Sequence, residues 1–91
     1  IRKQDGYIYW WDLTDNVKNA PAGYLSAKKY NQADCQLFRV RVLSVNFYNK
    51  WMGRGEFINL SHNELPEKWR KWLFPPPSSP YEVILRSVCR R

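Results

Sequence analysis

Between residues 6 and 60 apolar and polar side chains recur with the two-residue period of β-strands, and past residue 79 the period lengthens to that of a helix. Residues 6–13 are rich in aromatic and β-branched side chains and predict a first strand. Tyr7, Tyr9, Trp11 and Leu13 share one face, while Ile8 and Trp10 share the other, which ends at Asp12. Two apolar faces suit a central strand covered on both sides. Asp15-Asn16 and the run Asn19 to Gly23 form a turn cluster. Residues 24–33 predict a weaker second strand with no clearly apolar face, and its adjacent Lys28 and Lys29 suit a protected sheet edge. In the third strand, 36–48, Phe38, Val40 and Val42 oppose Arg39 and Arg41, and then Leu43, Val45 and Phe47 become the apolar set. That slip of phase without a turn residue predicts a β-bulge near Val42–Leu43, where the strand bends. Residues 48–55, with Gly53 and Gly55, are a hairpin connection to a fourth strand over 56–60.

Residues 61–77 are irregular. Pro66 to Trp72 can make a short helix with Pro66 at its first turn, and the prolines that follow Phe74 lock an extended path. The helix over 80–90 has Ser79 as its cap, Pro80 at the first position and Glu82 completing a capping-box pattern. Tyr81, Ile84, Leu85 and Val88 make its apolar stripe, with Cys89 at the edge of that stripe. The expected fold is one α+β domain over residues 1–91: an antiparallel β-meander with a C-terminal helix pressed on one face.

Composition sets the scale. Ninety-one residues, 44% hydrophobic and 16% aromatic, make one folded domain with a modest core. Five Trp and six Tyr cannot all be fully buried in so short a chain, so some should meet a partner at the surface. The net charge of +7 is spread evenly, +3 over residues 1–45 and +4 over 46–91. Such a field attracts nucleic acid, anionic lipid and acidic glycans alike and does not choose among them. No apolar run approaches the roughly 18 residues of a membrane span. The chain begins at Ile1 without Met, which predicts a processed or trimmed product; removal of an export signal would account for that start, and so would an arbitrary boundary of the chain.

Candidate chemistry is sparse. Cys35 opens the third strand and Cys89 lies near the end of the helix, a placement that suits a staple between two elements. Two unrelated buried thiols would give the same sequence. A staple would imply an oxidising compartment: periplasm, cell surface or medium. His62, the single histidine, stands in a polar loop 27 residues from each cysteine, a spacing that matches no zinc pattern. Neither catalysis, a metal nor a cofactor is expected. Gly53-Arg54-Gly55 is too short for a phosphate loop and reads as turn chemistry, and Asn59-Leu60-Ser61 is formally a glycosylation sequon. In Lys68-Trp69-Arg70-Lys71-Trp72 cations interleave with indoles. Such a segment can bind by stacking and cation–π contact, or its indoles can anchor a loop to the core while the cations stay solvated. The candidate binding surface comprises Trp51, Arg54, Lys68, Trp69, Arg70 and Trp72. Arg39 and Arg41 read as a solvated sheet face.

Asp34-Cys35, Arg39, Leu43-Ser44, Phe47-Tyr48, Met52-Gly53-Arg54-Gly55, Trp72 before Pro75 to Pro77 and Ser78, and Val88-Cys89 recur in one order. Together they resemble the bacterial surface-adhesin protein E-like family, small exported proteins of Gram-negative bacteria, over residues 24–89. The resemblance implies an antiparallel sheet crossed by a C-terminal helix and tied to it by a disulfide, which corresponds here to Cys35–Cys89. It implies no enzymatic chemistry, and it carries no binding residue over. The expected function is therefore non-catalytic binding of an extracellular protein or glycan at the cell envelope, at its surface or in the medium. A basic nucleic-acid-binding module and an inhibitor of a secreted enzyme are the alternatives.

Overall fold

The computed structural model describes residues 2–16 and 21–90, apart from the side chain of Lys68. Five strands make one antiparallel sheet in chain order: β1 (Arg2–Gln4), β2 (Tyr7–Asp15), β3 (Ser26–Asp34), β4 (Arg39–Tyr48) and β5 (Phe57–Ser61). A four-residue helix, α1 (Glu67–Arg70), precedes the C-terminal helix α2 (Pro80–Cys89). Part of the predicted turn cluster, residues 17–20, lies outside the described residues; on either side of it Asp15 and Ser26 pair.

The four predicted strands are present, and β1 is an addition. Gln4 and Tyr7 pair across Asp5-Gly6, both of which have positive φ, 53° and 82°. That is the geometry of the two-residue hairpin turn whose twist matches the strands it joins. The bulge falls where the phase slips: Tyr30 pairs with Ser44 and Asn31 with Val42, leaving Leu43 as the extra residue. Val40, Val42, Val45 and Phe47 thereby keep to one face, and all four are buried.

Two expectations about the strands need correcting. The second predicted strand is not an edge but β3, the centre of the sheet. Its buried residues include Ser26, Asn31, Gln32 and Asp34, so its lack of an apolar face reflects polar partners and not solvent. Gln32 donates to the Tyr9 hydroxyl at 3.0 Å and accepts from Arg41 Nε at 2.7 Å. Asp34 accepts from Arg39 Nε at 3.0 Å and from the backbone N–H groups of Gln36 and Leu37. Nor is β2 covered on both sides: Trp11 is 51% exposed, because both helices pack on the opposite face.

The covered face holds two apolar patches. Ile8 and Ala33 lie under Leu85 and Val88 of α2, with Trp10 and Phe38 beside them. Ala27, Val42, Val45 and Phe47 lie under Leu65, with Trp69 packed against them. Ser79 Oγ accepts the Glu82 N–H at 3.2 Å, as a cap should, while Glu82 reaches the Ser78 N–H instead of completing the box. A full capping box stands at Ser61 and Glu64, before the short turn His62–Glu64. Of the predicted stripe, Leu85 and Val88 are buried, while Ile84 sits at its rim, 37% exposed. The helix expected over Pro66 to Trp72 is confined to α1; beyond it Leu73 exchanges two backbone hydrogen bonds with Val40, at 2.9 and 2.7 Å. That bridge extends the sheet edge along the half of β4 that β5 does not reach.

Candidate functional site

Antiparallel pairing sets which side chains share the open face. Tyr9, Trp11 and Leu13 of β2, Lys28 and Tyr30 of β3, Tyr48 of β4 and Phe57 of β5 lie on it together. Their rings form a broken row across four strands. Tyr9 stacks on Tyr30 at 5.9 Å between centroids, Trp11 meets Tyr30 at 4.8 Å, and Tyr48 meets Phe57 at 5.2 Å. Cations sit among the rings, with Arg2 over Tyr9 at 5.2 Å and Lys28 over Tyr48 at 5.4 Å.

One end of this face is closed by the turn Trp51–Gly53. Met52 has a φ of 62°, a left-handed conformation that disfavours any side chain, and its N–H is held by Asp15 Oδ1 at 2.7 Å. Next to it, Gly53 has a φ of 68° and donates to Ser26 Oγ at 2.9 Å, and that hydroxyl in turn donates to the Lys50 carbonyl at 2.6 Å. A Cβ on Gly53 would lie 2.8 Å from Lys28 Cε and 3.3 Å from Leu13 Cδ1, so the turn sits directly against the open face. The result is a braced tip that leaves Trp51 48% and Met52 56% exposed, with Arg54 exposed beside them.

The six residues of the sequence-based candidate surface occupy different places. Trp51 and Arg54 belong to this tip. Trp69 is half-buried on the covered face, its ring 6.1 Å from Phe47, and Lys29 Nζ lies 5.5 Å above it. Arg70 Nε is buried without a hydrogen-bond partner, and the side chain of Lys68 lies outside those described. Trp72 lies on the open side, 6.3 Å from Tyr7, with the guanidinium groups of Arg39 and Arg41 at 4.1 and 4.5 Å from its ring. The two arginines are therefore not a solvated face. Each is fixed by a hydrogen bond to β3 and by the Trp72 ring.

Nothing in the local sequence pattern points to Tyr9, Trp11, Tyr30 and Phe57 as one surface. Strand alternation places Tyr9 and Trp11 together, but their neighbours come from strand order, which no local pattern carries. On the covered face, Asp12 and Asn31 form a polar pair beside Lys29. Burial raises the Asp12 carboxyl above its ordinary value, against the attraction of Lys29 and the hydrogen bond from Asn31. His62 Nδ1 lies 3.2 Å from the Val42 carbonyl at the bulge. Among the described residues no group of three or more His, Cys, Asp or Glu could hold a metal ion, and no helix is long and apolar enough to cross a membrane.

Cys35 and Cys89 are joined, with Cα atoms 5.7 Å apart, so α2 is tied covalently to the end of β3. A five-stranded meander with a disulfide-tied helix on one face and a braced aromatic surface on the other defines a small α+β domain with one open sheet face. The chain belongs to the surface-adhesin protein E family, whose model matches residues 1–90. No curated protein and no solved structure is significantly similar to it.

Proposed function

We propose that the protein is an exported, non-catalytic binding domain of a bacterial cell envelope or surface, which holds an extracellular protein or glycan against the open face of its sheet. The observation that carries this reading is the pairing of exposed rings with a braced tip. Large aromatic side chains anchor interfaces when they are rigid before contact, since little rotamer entropy is then lost on binding. Trp51 and Met52 stand on a turn whose backbone N–H groups are already committed to Asp15 and Ser26. Membership of a family named for a surface adhesin supports the location, and the disulfide fits an oxidising compartment.

The test is a binding screen of the immobilised protein against extracellular matrix proteins and glycans, repeated with Trp11→Ala, Trp51→Ala and Arg54→Ala. Val83→Ala, on the exposed side of α2, serves as control. Loss of at least about tenfold in affinity is expected for Trp51→Ala, the size of an interface anchor, with Val83→Ala unchanged. Equal binding by all four variants would refute the reading.

A second reading is favoured by one feature of the same face, its mixture of rings with Arg2 and Lys28, because a stacking platform of that kind also suits single-stranded nucleic acid. Salt separates the two. A nucleic-acid complex weakens steeply as counterions are retained at high salt, whereas an apolar protein contact does not. Arg2→Ala and Lys28→Ala, compared with the Trp11 and Trp51 changes, complete the comparison. A sub-micromolar, structure-selective nucleic-acid complex abolished by the cation changes would replace the first reading with the second.

A further inference from the structure

The covered face is not fully covered. Between α1 and α2 a cavity of about 370 Å³ opens onto the sheet, lined by Lys29, Asn31, Val40, Val42, Trp69 and Tyr81 among others. We infer that this cavity is a second binding site, separate from the open face, and that it takes a carboxylate-bearing sugar, such as a uronic-acid unit of an acidic glycan.

Four features of the lining select that chemistry. First, the size lies within the ordinary range of ligand pockets, about 300–1,000 Å³. Second, the apolar part of the wall includes two aromatic rings, Trp69 and Tyr81, one from each helix. The C–H face of a pyranose packs against such rings, while its hydroxyls need polar partners at the edge. Third, those partners are present. Asn31 is fully buried in β3, gives its amide N–H to Asp12, and keeps Oδ1 without a hydrogen-bond partner. A hydroxyl donor is what such an acceptor lacks.

Fourth, the charge at the wall is cationic. Lys29, Arg41 and Lys71 line the cavity. Arg41 is engaged with Gln32 and Trp72, and Lys71 pairs with Glu67 at 3.1 Å. Lys29 faces Asp12, whose Oδ2 is bonded to Asn31 while its Oδ1 has no hydrogen-bond partner, and holds its ammonium above Trp69. A carboxylate entering over Trp69 therefore meets Lys29 first. A neutral apolar ligand would strip water from Lys29 and Asn31 and return nothing to them.

The test is an amide and indole NMR titration of the intact oxidised protein with D-glucuronate, D-glucose and benzoate. Glucuronate should produce saturable shifts at the Trp69 indole and at Lys29, Asn31 and Tyr81, leaving the Trp51 indole unmoved. Glucose and benzoate should each bind about tenfold more weakly or worse, the worth of one charge-assisted hydrogen bond or of the hydroxyl contacts. Lys29→Gln should remove the preference for glucuronate over glucose. Should that variant fail to fold, the order of the three probes on the unaltered protein still decides. No saturable shift at Trp69, or glucose or benzoate binding as well as glucuronate, overturns the inference. Trp51→Ala should leave the glucuronate shifts intact, so failure here and failure of the open-face reading are told apart.

Discussion

Asn31 gives its side-chain amide to the Asp12 carboxylate at 2.8 Å, diagonally across the β2–β3 pair, since its own register partner is Trp10. The bond anchors a carboxyl that burial has made harder to ionise. In the folded protein Asp12 therefore holds its proton above 3.8, the value taken for the unfolded chain. The folded state binds more protons than the unfolded state within that window. This contribution to stability is fully present below the unfolded value and declines as pH rises through the raised folded value. In Asp12→Asn, which keeps an acceptor for Asn31, that decline should disappear. Denaturation midpoints measured from below pH 3.8 to neutrality should follow a flatter profile than the wild type, and parallel profiles would contradict the assignment.

The Cys35–Cys89 bond closes a span of 54 residues. In the chain-entropy account such a closure contributes about 4 kcal/mol, comparable with the whole stability of many small domains. Replacing both cysteines with serine should lower stability by about 2–5 kcal/mol in urea melts. Unreduced protein should show no titratable thiol.

Within α2 the apolar anchor and the cap should differ in weight. Leu85 is 1% exposed, and Leu85→Ala should cost about 2–5 kcal/mol. Ser79→Ala removes one capping bond and should cost about 1 kcal/mol. Equal and mild effects in paired melts would mean that the helix does not depend on its contact with Ile8 and Ala33.

At the tip, stability and binding should separate. Gly53→Ala forces a side chain into a left-handed conformation beside Lys28 and should cost about 1–2 kcal/mol. Trp51 is half exposed, so Trp51→Ala should change stability by no more than about 0.5 kcal/mol while weakening the partner complex. A large loss of stability in Trp51→Ala would make Trp51 a structural residue instead of an anchor.

Much of the fold was legible because local pattern and final position agreed. The phase slip at Val42–Leu43 announced the bulge, and Ser79-Pro80 announced the start of α2. The reading of β3 failed for a definite reason: a central strand can be polar when neighbouring strands supply its partners, and those partners, Asp12 and Tyr9 of β2 and Arg41 and Arg39 of β4, lie on two other stretches of sequence. β1 was missed although Asp5-Gly6 is a strong hairpin signal, because only three residues precede that turn within the strand. Of the six residues of the sequence-based candidate surface, Trp51 and Arg54 stand at the tip, while Trp69 and Trp72 stand elsewhere. For Trp69 and Trp72, three residues apart, spacing could not foretell that α1 would end at Arg70 and the backbone pair with Val40 at Leu73, which leaves the two indoles on opposite faces.

The core is divided into two apolar patches on one sheet, and regions packed in this way can open separately. One patch rests on α2, and its retention depends on the bond at Cys89; the other rests on Leu65 and Trp69 and has no covalent tie. Reduction should therefore speed amide exchange in α2 and around Ile8 and Ala33 while sparing Val45 and Phe47. A reducing environment would loosen one half of the molecule and leave standing the half that carries the Trp51 tip.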